Sequence, residues 1–129
     1  MEKFQTVTMT GAGLKDEDLE NLYKELSQHI IKEPRSDYEV GNITVDVWFE
    51  AKMVWEIKTA DLSMGPIYTA AKNLTSENRG ISLRFPRFIR VRPDKKPEEA
   101  TNSEEILKMY RDQENLNKKI NFAEEEFYD

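Results

Sequence analysis

Seven lysines or arginines and a single acid fall between Arg79 and Lys96, and from Gly80 onward the order is Gly-Ile-Ser-Leu-Arg-Phe-Pro-Arg-Phe-Ile-Arg-Val-Arg-Pro-Asp-Lys-Lys. The whole chain carries a net charge of −6, so its other residues hold 12 bases against 24 acids. Positive charge is therefore concentrated in one stretch. Guanidinium forks match phosphate oxygens in geometry and do not deprotonate. An arginine row beside aromatic side chains is the footprint of a polyanion, either nucleic acid or nucleotide. The competing reading is a solvated outer face whose arginines pair with the chain's own carboxylates, since surface pairing is cheap.

Other chemistry is thinly represented. There is no cysteine, which removes disulfide frameworks and thiolate metal sites. The lone His29 cannot form a metal cluster or a convincing Ser/His/Asp constellation, and it reads as a surface helix residue. No Walker-type glycine loop occurs, nor any carboxylate pair at a recognisable metal-binding spacing. With 129 residues, 38% apolar and 34% charged, the chain makes one domain with a modest core. No apolar run approaches the roughly 20 residues of a membrane span, and no signal-peptide core opens the chain. The expectation is an intracellular soluble protein.

The elements that must position the arginine row are legible from periodicity. Ile81, Leu83 and Phe85 alternate with Ser82 and Arg84, and Ile89 and Val91 alternate with Arg90 and Arg92, the period of strands with one buried face. Pro86 interrupts the ladder, predicting two strands or one bent strand. Residues 4–10 read as a strand closed by Gly11-Ala12-Gly13. Residues 14–32 read as an amphipathic helix with Leu19, Leu22, Tyr23, Leu26 and Ile30 on its inner face, a cap at Lys15 or Asp16, and Pro34 beyond its end. Residues 45–49 and 53–59 read as short strands bearing Trp48 and Trp55. Both indoles are expected in the core or as half-buried platforms, with base stacking as the functional alternative. A long loop with one helical turn near residues 68–73 fills 60–79. A second amphipathic helix covers 98–116, with a Thr101/Glu104 capping box and an Ile106, Leu107 and Tyr110 stripe. Residues 117–129 read as an acidic tail, disordered or loosely docked.

The central stretch also carries a signature. Phe85-Pro86-Arg87-Phe88-Ile89-Arg90-Val91-Arg92-Pro93-Asp94-Lys95 resembles motif VI of the eukaryotic ATP-dependent DNA ligases, with Arg92-Pro93-Asp94-Lys95 in its Arg-x-Asp-Lys core. Val54-Trp55-Glu56-Ile57-Lys58-Thr59-Ala60-Asp61-Leu62-Ser63, followed by Gly65-Pro66-Ile67-Tyr68, resembles the block preceding motif VI in the replicative DNA ligase I type. The resemblance implies a mainly β, Greek-key OB-fold barrel with two amphipathic helices, lacking its first strand or strands and occupying residues 1–116.

In that family ATP adenylates a lysine, AMP passes to the 5′-phosphate of a nick, and the 3′-hydroxyl closes the bond. The nucleophilic lysine sits in a Lys-x-Asp-Gly setting, which this sequence lacks, so the fragment is not expected to be active alone. The resemblance assigns Arg90, Arg92 and Lys95 to the departing pyrophosphate, with Asp94 positioning them. It assigns Arg84, Phe85 and Arg87 to the minor groove at the nick, and Lys58 and Ser63, with Lys72, to phosphates; an ordinary surface role is the alternative for these last three. ATP and Mg²⁺ belong to the full enzyme, whose implied partners are nicked double-stranded DNA and the adenylation and DNA-binding domains of the same ligase. The implied setting is DNA replication, repair and recombination in the nucleus. A truncated barrel with an open edge is expected to self-associate. A stand-alone OB-type nucleic-acid-binding module and an acidic domain docking a protein through its arginines are the rival classes. Strict alternation sends Phe85 inward and exposes Phe88, whereas the resemblance exposes Phe85; the second reading is favoured, because Pro86 makes alternation unreliable from position 85 onward.

Overall fold

The computed structural model describes the backbone of residues 3–128 and the side chains of residues 3–120. In chain order the elements are β1 (Phe4–Gln5), α1 (Asp16–Leu26), β2 (Ile30–Ile31), β3 (Tyr38–Glu39), β4 (Trp48–Phe49), β5 (Trp55–Lys58), β6 (Asp61–Gly65), β7 (Gly80–Arg84), β8 (Arg87–Val91) and α2 (Ser103–Tyr128). Three 3-10 turns, at Ser27–His29, Lys72–Leu74 and Pro97–Glu99, complete the order.

Antiparallel β5–β8 and β6–β7 are two halves of one kinked ribbon. Lys58 lies opposite Arg87 and Asp61 opposite Arg84, so the register passes unbroken through the links Thr59-Ala60 and Phe85-Pro86. Ala60 donates its N–H to the Arg84 carbonyl at 3.1 Å inside that kink. The inner face of β6–β7 carries Leu62 opposite Leu83 and Met64 opposite Ile81. Leu62, Ala71 and Ile81 form the buried cluster, and Ile106, Leu107 and Tyr110 of α2 pack against it. Burying a side chain such as Ile81, which has no exposed surface, is worth roughly 1.5–3 kcal/mol. The Gln113 side-chain amide then donates to the Leu62 carbonyl and accepts from its N–H, both at 2.8 Å, as a neighbouring strand would. The outer edge of β6 is thereby satisfied by a helix side chain.

The N-terminal segment threads between the ribbon and β3. β1 pairs in parallel with β3, and the chain beyond it bonds through separate contacts: the Thr6 carbonyl accepts from Thr69 and Ala70, the Val7 carbonyl from Leu83, and the Ala12 carbonyl from Phe88. The expected strand over 4–10 is thus a ladder of two residues followed by an extended strap. The ladders do not join into a closed barrel among the described residues; each sheet contains two strands.

Several boundaries move for identifiable reasons. The helix expected over 14–32 stops at Leu26, and after a 3-10 turn the β-branched pair Ile30-Ile31 becomes β2, matched with Trp48-Phe49. Of its predicted inner stripe only Leu22 is buried, while Leu19, Tyr23 and Ile30 are exposed. The loop expected over 60–79 contains β6, whose residues alternate polar and apolar but include the weak strand formers Asp61, Ser63 and Gly65. Its helical turn is the 3-10 turn at Lys72–Leu74. The second helix starts later than expected, with Asn102 as cap: Glu105 N–H donates to Asn102 Oδ1 at 2.9 Å, and Asn102 N–H to Glu105 Oε1 at 3.1 Å. It also continues past Leu116, so the segment expected to be a disordered or loosely docked tail is helical in its backbone to Tyr128. No glycine or proline follows Pro97 to stop it.

Gly80 and Gly65 face each other in the ribbon with opposite tolerance. A Cβ on Gly80 would stand 1.7 Å from the Tyr68 carbonyl oxygen, whereas one on Gly65 meets nothing within 4 Å. Gly80→Ala should lower unfolding free energy by about 2–3 kcal/mol, and Gly65→Ala should leave it unchanged or raise it by up to about 1 kcal/mol. Denaturant melts of the two variants side by side make the comparison.

Candidate nucleic-acid and nucleotide interface

The kink fixes which side chains face out. Leu83 points inward on β7, yet Phe88, five residues later, is also inward at 4% exposure. Strict alternation cannot reconcile the two, because an odd separation places residues on opposite faces. The phase is reset at Phe85, whose φ of +53° lies in the left-handed region. That conformation is uncommon for a bulky side chain, and Pro86 beyond it can donate nothing to a ladder. The reset leaves the Phe85 ring 75% exposed. Phe85 is thus exposed, as the resemblance implies and strict alternation does not.

The bend is held from both sides. Thr59 Oγ1 lies 2.8 Å from the Arg84 carbonyl, and Thr10 Oγ1 donates to the Pro86 carbonyl at 3.2 Å. Gly13, at φ +87°, lets the strap lie against Arg87 and Phe88, where a Cβ would sit 2.4 Å from the Phe88 carbonyl oxygen. Arg84 donates to Asp61 Oδ2 at 3.2 Å, and its guanidinium carbon lies 5.4 Å from the centre of the Phe85 ring. Arg84 and Phe85 thus project as a stacked pair.

A second reset follows at once. Ile57 lies opposite Phe88 and Glu56 opposite Arg90, so Ile89 is an extra residue, a β-bulge. Ile89 is 45% exposed, which corrects its expected place on the buried face. Inside the ladder, Trp55 meets Phe88 edge to face at 4.9 Å; Trp48 lies beside Tyr38 at 6.2 Å. Both tryptophans are half-buried.

Two groups of cations result on the outer face of β5–β8. Near the kink, Lys58 and Arg87 are cross-strand partners, both exposed, with no carboxylate within ion-pair distance among the described residues. At the far end the charges are braced. Arg92 donates Nε and Nη2 to the two oxygens of Asp94 at 2.9 and 2.8 Å and Nη1 to Glu56 Oε1 at 3.2 Å. Arg90 Nε donates to that same Glu56 oxygen at 3.3 Å. Lys95 is exposed and has no ion-pair partner among the described residues. Ser63 sits apart, beyond the kink on β6, with its hydroxyl 3.0 Å from that of Ser82. Of the ten residues that the sequence points to, Lys58, Arg87 and Arg90 lie on β5–β8, Arg92, Asp94 and Lys95 follow β8, Phe85 is in the kink, Arg84 and Ser63 are on β7 and β6, and Lys72 is in the 3-10 turn at Lys72–Leu74. Glu56, Asp61 and Thr59 were missed; the outward phase of Glu56 and Lys58 was the available signal.

Fold and surface together describe a small mixed α/β module with a cationic ribbon. The chain matches the family model of the ATP dependent DNA ligase C terminal region over residues 1–95, and it belongs to that family. It is 44% identical over 129 residues to DNA ligase 1 of Dictyostelium discoideum, covering 98% of this chain and 11% of that protein. It is 46% identical over 113 residues to DNA ligase 1 of Arabidopsis thaliana, covering 87% and 14%, and 46% identical over 110 residues to a DNA ligase of Sulfophobococcus zilligii, covering 85% and 18%. The chain therefore spans less than a fifth of the length of these relatives. Among the described residues no helix is long and apolar enough to cross a membrane, and no group of three His, Cys, Asp or Glu is placed to hold a metal ion.

The hydrogen-bonded fork of Arg92 holds the Asp94 carboxyl down at about 2, against an ordinary 3.8. A depressed carboxylate favours the folded state above its unfolded pKa and loses that contribution as pH falls through its folded one. The Arg92–Asp94 pair should accordingly be intact above about pH 4 and open toward pH 2, as read by the carboxyl carbon shift of Asp94. Phe85→Gly should raise unfolding free energy by up to about 1 kcal/mol in a thermal or denaturant melt, because glycine accepts the left-handed conformation and little apolar burial is lost.

Proposed function

We propose that this region is the OB domain of an ATP-dependent DNA ligase that seals nicks in duplex DNA, in a nuclear setting of replication, repair and recombination. Its ribbon serves two steps with two ends. The observation that carries the reading is the separation on one rigid ladder of a bare cationic end beside an exposed phenylalanine from an acid-braced cationic end.

At the first end, Phe85 presses on the minor groove beside the nick, and Arg84, Arg87 and Lys58 hold phosphates, with Ser63 as a further contact. Contacts of this kind follow groove shape and backbone rather than base identity, which suits an enzyme acting at any sequence. An apolar wedge is an established means of distorting the minor groove. At the second end, Arg90, Arg92 and Lys95 face the nucleotide during lysine adenylation, with Asp94 orienting Arg92. Fixed cations there stabilise the charge that builds as pyrophosphate leaves. ATP supplies the adenylyl group and Mg²⁺ the counter-charge in the whole reaction. The exposed cations suit a polyphosphate; the nucleophilic lysine and the metal ligands are assigned to other domains of the ligase, which together with nicked DNA are the proposed partners.

In the full-length ligase, Arg84→Ala or Phe85→Ala should cut nick sealing at least roughly tenfold while self-adenylation stays near normal. Arg92→Ala or Lys95→Ala should cut self-adenylation roughly a hundredfold, and equal loss of both steps in all four variants would sink the division. Lys58→Ala and Arg87→Ala should each lower the slope of log affinity for nicked DNA against log salt by about 1. Unchanged slopes would assign those cations elsewhere.

A further inference from the structure

Glu56 is the only acid on β5, and it stands where two guanidiniums meet. Its Oε1 accepts from Arg90 Nε at 3.3 Å and from Arg92 Nη1 at 3.2 Å. Arg90 is its cross-strand partner only because of the bulge. Were the register of the rest of the ribbon continued, Ile89 would face Glu56, and Arg90 would be carried past it. The bulge therefore has a specific consequence: it aims one more arginine at a carboxylate already bonded to Arg92.

We propose that Glu56 is a positioning residue that holds Arg90 and Arg92 side by side as a ready pair for a polyphosphate. The proposal rests on the nucleotide reading of those two arginines. Long, exposed arginine side chains lose considerable rotamer freedom when a ligand orders them, and two like charges resist convergence. A carboxylate oxygen between them offsets both costs before the nucleotide arrives. Its bonds are also longer than the 2.8 and 2.9 Å bonds from Arg92 to Asp94. Phosphate oxygens can thus draw the guanidiniums away from Glu56 while Asp94 keeps its hold on Arg92.

The test uses the full-length ligase and measures the ATP concentration giving half-maximal self-adenylation, the maximal rate, and sealing of a nick already carrying AMP on its 5′-phosphate. Glu56→Ala should raise the half-saturating ATP concentration roughly tenfold with a smaller change in maximal rate. Glu56→Gln, which keeps an acceptor oxygen of the same size, should fall between it and the parent, and both should seal the pre-adenylated nick normally. Should Glu56→Ala fold poorly in a thermal melt, Glu56→Gln carries the measurement. An unchanged or lower ATP requirement in these variants, with Arg92→Ala still impaired, would overturn the role of Glu56 alone; a lower one would mean that the carboxylate competes with the nucleotide. Loss of sealing on the pre-adenylated nick would overturn it in favour of general disruption. Normal adenylation by Arg92→Ala removes the nucleotide reading and this inference with it.

Discussion

A strand commits its side chains to alternate faces, and that commitment is broken twice within five residues of this ribbon. At Phe85 a left-handed backbone before a proline resets the phase without changing the register; at Ile89 one extra residue resets it again. Between the two, Phe88 alone turns inward and seals the ladder against Trp55. Everything exposed on the outer face owes its direction to these breaks. A left-handed phenylalanine is uncommon and costs of order 1–3 kcal/mol, so the surroundings must over-determine it. The bonds from Thr59, Ala60 and Thr10 to the carbonyls at the bend do so.

Whether the arginines are solvated decoration or phosphate contacts turns on how firmly the chain's own acids hold them. Arg84, Arg90 and Arg92 all have carboxylate partners, which is what a plain outer face would show. Those pairs are not buried, however: the side chains of Arg84 and Arg90 are 51% and 58% exposed. Exposed pairs contribute about 0–1 kcal/mol each, too little to withhold a guanidinium from a phosphate. The bidentate Arg92–Asp94 fork is the firm one. It ties the turn after β8 to a definite shape and leaves the neighbouring cations free to move. Pairing with acids is thus compatible with the proposed service of these arginines to phosphates.

What the sequence disclosed follows the same logic. The arginine row, the break at Pro86 and the stripe of Ile106, Leu107 and Tyr110 were legible because each rests on local composition or spacing, and the family resemblance because the residues that carry it stand in two short blocks. Alternation alone would put Phe88 outside and Ile89 inside, the reverse of what is found, since it has no marker for a bulge and Phe85 does not announce a positive φ. Strand β6 was hidden in a presumed loop because Asp61, Ser63 and Gly65 lower its propensity, although its period was present. The stripe on α1 was real as a pattern but only Leu22 is buried, and amphipathicity cannot say how much of a face finds a partner. The second helix runs past Leu116 because no breaking residue ends it, although an acidic stretch with little to bury reads as a tail. Glu56 stands out only once the register is known, because the bulge is what places Arg90 opposite it.

A net charge of −6 and a ribbon proposed to face phosphates are not at odds. Non-specific DNA binding grows with the number of phosphates that cations neutralise at once, and an acidic surround limits that number away from the ribbon. Lys58 and Arg87, with no acid partner among the described residues and next to the exposed Phe85, concentrate the attraction where the groove would be distorted. Acids placed beside this pair would neutralise it; Glu56 and Asp94 lie further along the same face and pair with Arg90 and Arg92 instead. The distance along one ladder therefore keeps the two proposed electrostatic tasks apart, as a single loop would not.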